Sequence, residues 1–229
     1  TSLHKTTIDS NFSLELNEVL VKRREQFLIR ALHYLGVPYK AAAKPRPDQR
    51  LGPAAHHNKG LYLDCCALVR HCLIDLEETL EFSIGPYNQA YLFDTLPIVL
   101  AEHQLRPGDL IFVEGRYYDQ KQAKPKHDIV HVEIFVGGEN GESTLAARDK
   151  MGAVDIFESF KFESDSYEIV EHHFRSIDTW LGGVCRSWCA QHRWLTANTQ
   201  RLTPKTLGSL PFAQTPLSTS PENKGWGVY

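Results

Sequence analysis

The chain has 229 residues, enough for one well-packed domain with tails or for two small domains. Hydrophobic residues make up 42% and charged residues 23%, an ordinary soluble globular composition. The formal charge of -3 argues against binding nucleic acid or an anionic membrane through bulk charge, and no apolar run is long enough to span a bilayer.

The opening residues, TSLHKTTIDS, are polar and do not read as a signal peptide. Five cysteines, Cys65, Cys66, Cys72, Cys185 and Cys189, form an odd set with two adjacent members, which is a poor disulfide framework. A reducing, cytoplasmic compartment is therefore expected rather than secretion.

Residues 1–12 read as a loose lead-in. Over residues 14–35 the apolar side chains Leu14, Leu16, Val19, Leu20, Phe27, Leu28, Ala31, Leu32 and Leu35 recur at three- and four-residue steps, which predicts an amphipathic helix. Gly36 ends it and Pro38 cannot continue it. Residues 40–60 hold three prolines and two glycines and read as a long loop. A second helix is expected from Cys65 to Leu76, with Asp64 at the N-cap and Ala67, Leu68, Cys72 and Leu76 on its packing side. Residues 86–100 read as loop plus a short helix.

Strands follow. LIFVEG (110–115) comes after the turn Arg106-Pro107-Gly108-Asp109, and IVHVEIFVG (129–137) is β-branched and apolar. STLAAR (143–148) returns after a turn at Gly137 to Gly141, with further strands near 154–157 and 167–174. Helices first and then an antiparallel meander make an α+β pattern. Residues 177–194 suggest a terminal helix. Residues 196–229, rich in Thr, Ser, Pro and Gly, read as an extended tail. The expected organisation is a lead-in at 1–12, one domain at 13–195 and a tail at 196–229.

The segment Leu63-Asp64-Cys65-Cys66-Ala67-Leu68-Val69 carries the most chemistry. A cysteine in the first turn of a helix feels the positive end of the helix dipole, which stabilises thiolate, the nucleophilic form. The competing reading is a small buried hydrophobe, as most cysteines are.

Three more segments bear on the choice: Gly36-Val37-Pro38-Tyr39, then Leu105-Arg106-Pro107-Gly108-Asp109-Leu110-Ile111-Phe112, then His131-Val132-Glu133-Ile134-Phe135-Val136-Gly137. In order and spacing the four segments resemble the NlpC-like cysteine peptidases of the papain-like clan. Their pattern runs G-x-P-Y, D-C-S-G-L-V, P-G-D-L-x-F, H-V-G-I-Y-x-G, and the resemblance covers roughly residues 26–150. It implies a papain-like, NlpC-type α+β fold, with N-terminal helices packed on an antiparallel sheet and no cofactor.

By that resemblance Cys65 is the nucleophile, and His131 is the general base on a strand facing the helix that bears Cys65. The hydroxyl of Tyr39 lies near the oxyanion, and Asp64 helps hold the free amine of a substrate peptide. The turn at Pro107 to Asp109 is structural. The family precedent is cleavage next to γ-linked glutamate in bacterial wall peptides.

The sequence departs from the family pattern in three places. Cys66 and Ala67 replace the small Ser and Gly, so Cys66 alters a substrate-recognition position and offers a competing thiol. The strand after His131 places Ala146 where the family has an imidazole-orienting His, Asn or Gln. Glu133, two residues from His131 and on the same strand face, is the natural substitute, unless it serves as a structural partner of Arg148. The segment between Tyr39 and Asp64 lacks the family's Trp-Gly-Gly and is longer, so the substrate groove is rebuilt.

Other features carry bland readings beside functional ones. Cys185-x3-Cys189-x2-His192 resembles half a zinc site, with His172 or His173 reachable only by folding, and no metal is expected. His56 and His57 line the cleft or are simply solvated. Trp180, Trp188 and Trp194, at near-helical spacing, read as core rather than as a binding box. Asn88, Gln89 and Asp94 contact substrate or cap their loop.

The function expected is a cysteine-dependent hydrolase of a peptide, isopeptide or amide bond, γ-glutamyl linkages included, working through a Cys65 acyl-enzyme. The rivals are a thiol acyltransferase on the same fold and a non-catalytic peptide-binding module.

Overall fold

In the computed structural model α1 spans Ser2–Leu32, so residues 2–12 are helical rather than a loose lead-in. No Gly or Pro interrupts residues 2–13, and a helix once nucleated propagates through such a stretch. The structure describes residues 2–41, 60–81 and 84–183, and only the backbone of residues 2–16. The side chains of Leu14 and Leu16, most of the loop at 40–60, residues 184–194 and the tail at 196–229 lie outside what is described.

Phe27 and Ala31 are buried and Leu20 and Leu28 pack partly against them, whereas Val19, Leu32 and Leu35 face solvent. The apolar stripe is therefore narrower than its sequence pattern. The helix also ends earlier, in a tight turn where Tyr34 and Leu35 donate to carbonyls three residues back. Gly36 follows at φ +78°, a conformation glycine adopts without Cβ strain.

Helix α2 (Cys65–Asp75) runs through the core, buried continuously from Cys65 to Leu73. Its packing side is wider than its periodicity suggests, because Arg70 and His71 are buried too. Asp64 caps it, accepting from the Ala67 N–H at 2.7 Å. Asp64→Ala should lower unfolding stability by about 1 kcal/mol, read as a lower urea midpoint at unchanged slope. Short helices α3 (Glu77–Leu80) and α4 (Gln89–Asp94) follow.

Strands β1 (Val99–Leu100), β2 (Leu110–Tyr117), β3 (Ile129–Gly137), β4 (Ser143–Arg148), β5 (Ala153–Phe157) and β6 (Tyr167–Arg175) form one sheet ordered β1-β6-β2-β3-β4-β5, every pair antiparallel. The helices bury against it, giving an α+β fold. Gly36 and Val37 join the far edge through hydrogen bonds with Val154 of 2.9 and 2.8 Å, and Tyr39 bridges to Leu63 just before α2. The G-V-P-Y segment thus ties the end of α1 to the start of α2.

The turn before β2 is structural, as expected. The Asp109 carboxylate is fully buried and accepts from Arg24 Nη1 at 2.7 Å, the Arg106 N–H at 2.9 Å and the Ile177 N–H at 3.3 Å. It pins α1 and the end of β6 to one corner.

Two register shifts bend β2, one against β3 at Val113/Glu114 and one against β6 at Glu114/Gly115. A Cβ on Gly115 would lie 2.6 Å from the Glu168 carbonyl and 2.8 Å from Val130. Gly115→Ala should cost about 1–3 kcal/mol, visible as a lower thermal midpoint, since backbone rather than a flexible side chain must yield.

Of the terminal helix expected at 177–194, Asp178–Leu181 is described as α5. Trp180 is fully buried there, its indole N–H donating to Thr95 Oγ1 at 3.0 Å, which makes it core. Trp188 and Trp194 fall outside the described residues. Among the described residues no helix is long and apolar enough to cross a membrane.

Candidate active site

Where the tip of α2 meets β3 the surface opens into a cleft of about 650 Å³, lined by Tyr39, Cys65, His131 and the tyrosines 117 and 167, among others. Cys65 is the first residue of α2 and only 9% exposed. Its sulfur accepts a hydrogen bond from the Val132 backbone N–H and contacts the Cys66 thiol. Cys66 in turn donates to Asp64 Oδ1 at 3.2 Å and accepts from Arg70 Nη1 at 3.4 Å. Arg70 also donates to the Tyr87 carbonyl.

The expectation of a thiol lowered by the helix dipole is overturned. The hydrogen bond with Cys66, then burial, then the neighbouring Asp64 carboxylate push the Cys65 thiol well up, and the Val132 N–H opposes them only in part. The sequence shows Asp64 and Cys66 on either side of Cys65 but not the hydrogen bond and burial that make them raise its thiol.

On β3, Val132 and Ile134 enter the core shared with the helices. The His131 ring lies instead 5.8 Å from Phe162 and 6.3 Å from Tyr167. The imidazole lies on the β3 face away from the helix core and shares the cleft with Cys65 at the tip of α2. Plain alternation with Val132 and Ile134 is the cause. The register shift beside His131 leaves Val130 unpaired, and Val130 joins the cluster of Val113 and Tyr167 on the side of His131.

His131 Nε2 lies 3.0 Å from Glu133 Oε1, and Glu133 is 1% exposed. Its carboxylate also accepts from Thr144 Oγ1 at 2.6 Å and from Arg148 Nε and Nη2 at 2.6 and 2.9 Å. The two readings of Glu133, imidazole partner and partner of Arg148, hold together. Burial pushes its carboxyl up, but the hydrogen bonds from His131 and Arg148 outweigh that and hold it at about 2. Ala146 is buried and offers no polar group, as expected, while Thr144 on the same strand supports Glu133 rather than the ring. The Arg148 guanidinium is fixed between the rings of Phe157 and Phe162, at 3.8 and 3.9 Å from their centroids.

With Nε2 taken, Nδ1 is the imidazole nitrogen left for chemistry. Among the described residues no hydrogen bond joins it to the Cys65 sulfur, although both side chains line the same cleft.

Tyr39 reaches this cleft as expected, and burial, then Cys65, push its hydroxyl far up. Tyr117 and Tyr167 escaped the sequence reading. They face each other across β2 and β6, and burial with the nearby Cys65 pushes Tyr117 up to about 12. Aromatic residues at the ends of two expected strands were the available signal, but their pairing needed the register.

Asn88 caps α4, and Asp94 pairs with Lys126 at 2.9 Å and His127 at 2.7 Å, so both serve their loop. Gln89 lines the cleft while donating to the Ile129 carbonyl at 2.9 Å. His173 pairs with Glu114 at 2.9 Å, and His172 packs on Phe160. Cys185, Cys189, His192, His56 and His57 lie outside the described residues.

No family model matches this sequence, and no curated protein matches it. Several solved structures resemble it. The peptidoglycan hydrolase RipB from Mycobacterium tuberculosis is 18% identical over 69% of this chain and 66% of its own, with a TM-score of 0.44, so this chain spans about two thirds of RipB. The P60 domain of an antigen from M. avium subspecies paratuberculosis is 19% identical over 69% of this chain and 96% of its own, also at 0.44. RipD from M. tuberculosis, described as a non-catalytic NlpC/p60 domain protein adapted to peptidoglycan binding, is 15% identical over 68% and 97%, at 0.42.

Proposed function

We propose that the chain is a cysteine hydrolase cleaving a peptide, isopeptide or amide bond, with Cys65 as nucleophile, His131 as base and Glu133 orienting the imidazole. The observation that carries this reading is the grip of a buried carboxylate on His131 Nε2, in a cleft shared with a sulfur at a helix tip. A carboxylate on Nε2 fixes the tautomer with its proton there and leaves Nδ1 basic.

The resting thiol is neutral, so attack begins with proton transfer. A carbonyl entering the cleft brings the Cys65 side chain toward Nδ1, which takes the S–H proton as sulfur bonds to carbon. The oxyanion is held by the Cys65 backbone N–H at the α2 tip, with the Tyr39 hydroxyl as a second donor. Imidazolium returns the proton to the leaving amine, and water then hydrolyses the thioester with His131 again as base. Glu133, held as a carboxylate, stabilises the transient imidazolium.

A panel of α-linked and γ-linked peptides with free amino termini tests the reading. Turnover of at least one member supports it, and preference for a free terminal amine that weakens in Asp64→Asn assigns the amine contact to that carboxylate. A panel that binds without turnover points to a non-catalytic module. The raised thiol and the missing Cys65–His131 hydrogen bond are the observations on that side.

A further inference from the structure

The mouth of the cleft holds a donor set that hydrolysis does not require. One carboxylate oxygen of Asp64 and the sulfurs of Cys65 and Cys66 all lie within 4.8 Å of one another. A tetrahedral zinc ion with thiolate bonds of ~2.3 Å sets its ligands ~3.8 Å apart, so small side-chain rotations close this trio around one ion. Two sulfurs and one oxygen suit a soft or borderline divalent cation rather than Mg²⁺ or Ca²⁺. The Cys66 thiol proton, directed at Asp64 Oδ1 over 3.2 Å, occupies the place the cation would take.

Charge balance points the same way. Two thiolates and a carboxylate carry three negative charges, and a divalent cation neutralises two of them. The guanidinium of Arg70, fully buried and 3.4 Å from the Cys66 sulfur, faces the third. A buried charge of that sign behind a thiol lowers the cost of ionising it. Cys65 opens on the cleft, which leaves a fourth coordination position for water.

We propose that Asp64, Cys65 and Cys66 form a binding site for a zinc-class divalent cation, and that the bound ion sequesters the Cys65 sulfur. Binding releases the two thiol protons and forms two metal–sulfur bonds, with no change in oxidation state. The binding half stands on the donor set alone. The consequence for catalysis rests on the hydrolase reading: metal and acyl-enzyme exclude each other because both use the same sulfur. This trio is distinct from the half-site Cys185-x3-Cys189-x2-His192, with His172 or His173, to which the sequence spacing points.

The test is a Cd²⁺ titration of the full, reduced, chelator-treated chain, followed by the thiolate-to-cadmium charge-transfer absorbance. One equivalent should saturate a band that Zn²⁺ displaces. Cys65→Ser and Cys66→Ser should each weaken binding at least a hundredfold, with circular dichroism confirming the fold. Cys72→Ser, Cys185→Ser and Cys189→Ser should leave the band in place. Zn²⁺ should also slow iodoacetamide alkylation of Cys65, read by peptide mass spectrometry, and a chelator should restore it. Absence of the band, or a band indifferent to Cys65→Ser and Cys66→Ser, overturns the proposal. Because none of these readouts needs turnover, an inactive protein that binds Cd²⁺ at this site refutes only the hydrolase reading.

Discussion

Cys65→Ser should reduce turnover of any substrate the cleft accepts by at least about a thousandfold, with the fold intact. Serine keeps the size of the side chain and the first turn of α2, and it leaves the Asp64 cap in place. What changes is the acidity and softness of the attacking atom. The imidazole across the cleft must then remove a far less acidic proton, and Glu133 orients the ring without making it a much stronger base.

Cys66→Ser is the informative companion. Its sulfur points at Asp64 and Arg70 rather than at the imidazole, and serine is the residue of the family pattern at that place. It should retain turnover within about tenfold of the parent, a cost suited to a neighbour rather than a reacting group. Steady-state kinetics on the best peptide of the panel separates the two. Equal losses in both variants, or full activity in Cys65→Ser, would assign the chemistry elsewhere.

Glu133→Gln should destabilise the fold by about 3–5 kcal/mol, because it strips the charge from a fully buried carboxylate and leaves the Arg148 guanidinium uncompensated. Four hydrogen bonds converge on those two oxygens: one from His131, one from Thr144 and two from Arg148. Gln can accept some of them but presents its amide N–H₂ to donors. The double variant Glu133→Gln with Arg148→Met should recover part of the loss, since it removes the stranded cation.

The sign of the pH dependence follows from the same contacts. The carboxyl sits at about 2 when folded against an ordinary 4.5, so its contribution is fully present above about 4.5 and is lost as pH falls toward 2. That interval corresponds to about 3 kcal/mol, in line with the expected effect of the substitution. The parent's urea midpoint should hold steady down to about pH 5 and then decline. The variant's midpoint should start low and lack this component of the decline. Parallel curves for the two proteins would contradict the assignment.

Much of this arrangement was legible in the residues. Asp64 before an apolar run marked the start of α2, and the β-branched stretch at 129–137 and its return at 143–148 matched β3 and β4 residue for residue. Those elements rest on local capping and on a period of two, which a sequence displays directly.

What stayed hidden depends on burial and on contacts that the folded chain makes. Asp64 and Cys66 flank Cys65 in the sequence, but the burial and the Cys66 hydrogen bond that raise its thiol come from the fold. Alternation puts His131 opposite Val132 and Ile134, but which face of β3 the helices cover, and that Phe162 and Tyr167 border the other, is set by the fold. Tyr117 and Tyr167 meet only because β6 pairs with β2 across more than forty residues of chain. For Glu133 the spacing of two gives the face shared with His131 and offers Arg148 as a partner, while the hydrogen bond from Thr144 and the fact that both partners are held at once come from the fold.

The central claim is a covalent one, and mass spectrometry of the intact protein mixed rapidly with the best peptide of the panel, then quenched in acid, tests it most directly. A mass increase equal to the acyl fragment, mapped to the peptide bearing Cys65 and absent in Cys65→Ser, is the expected result. Turnover without any adduct on that sulfur, or an adduct that persists in Cys65→Ser, would contradict the account.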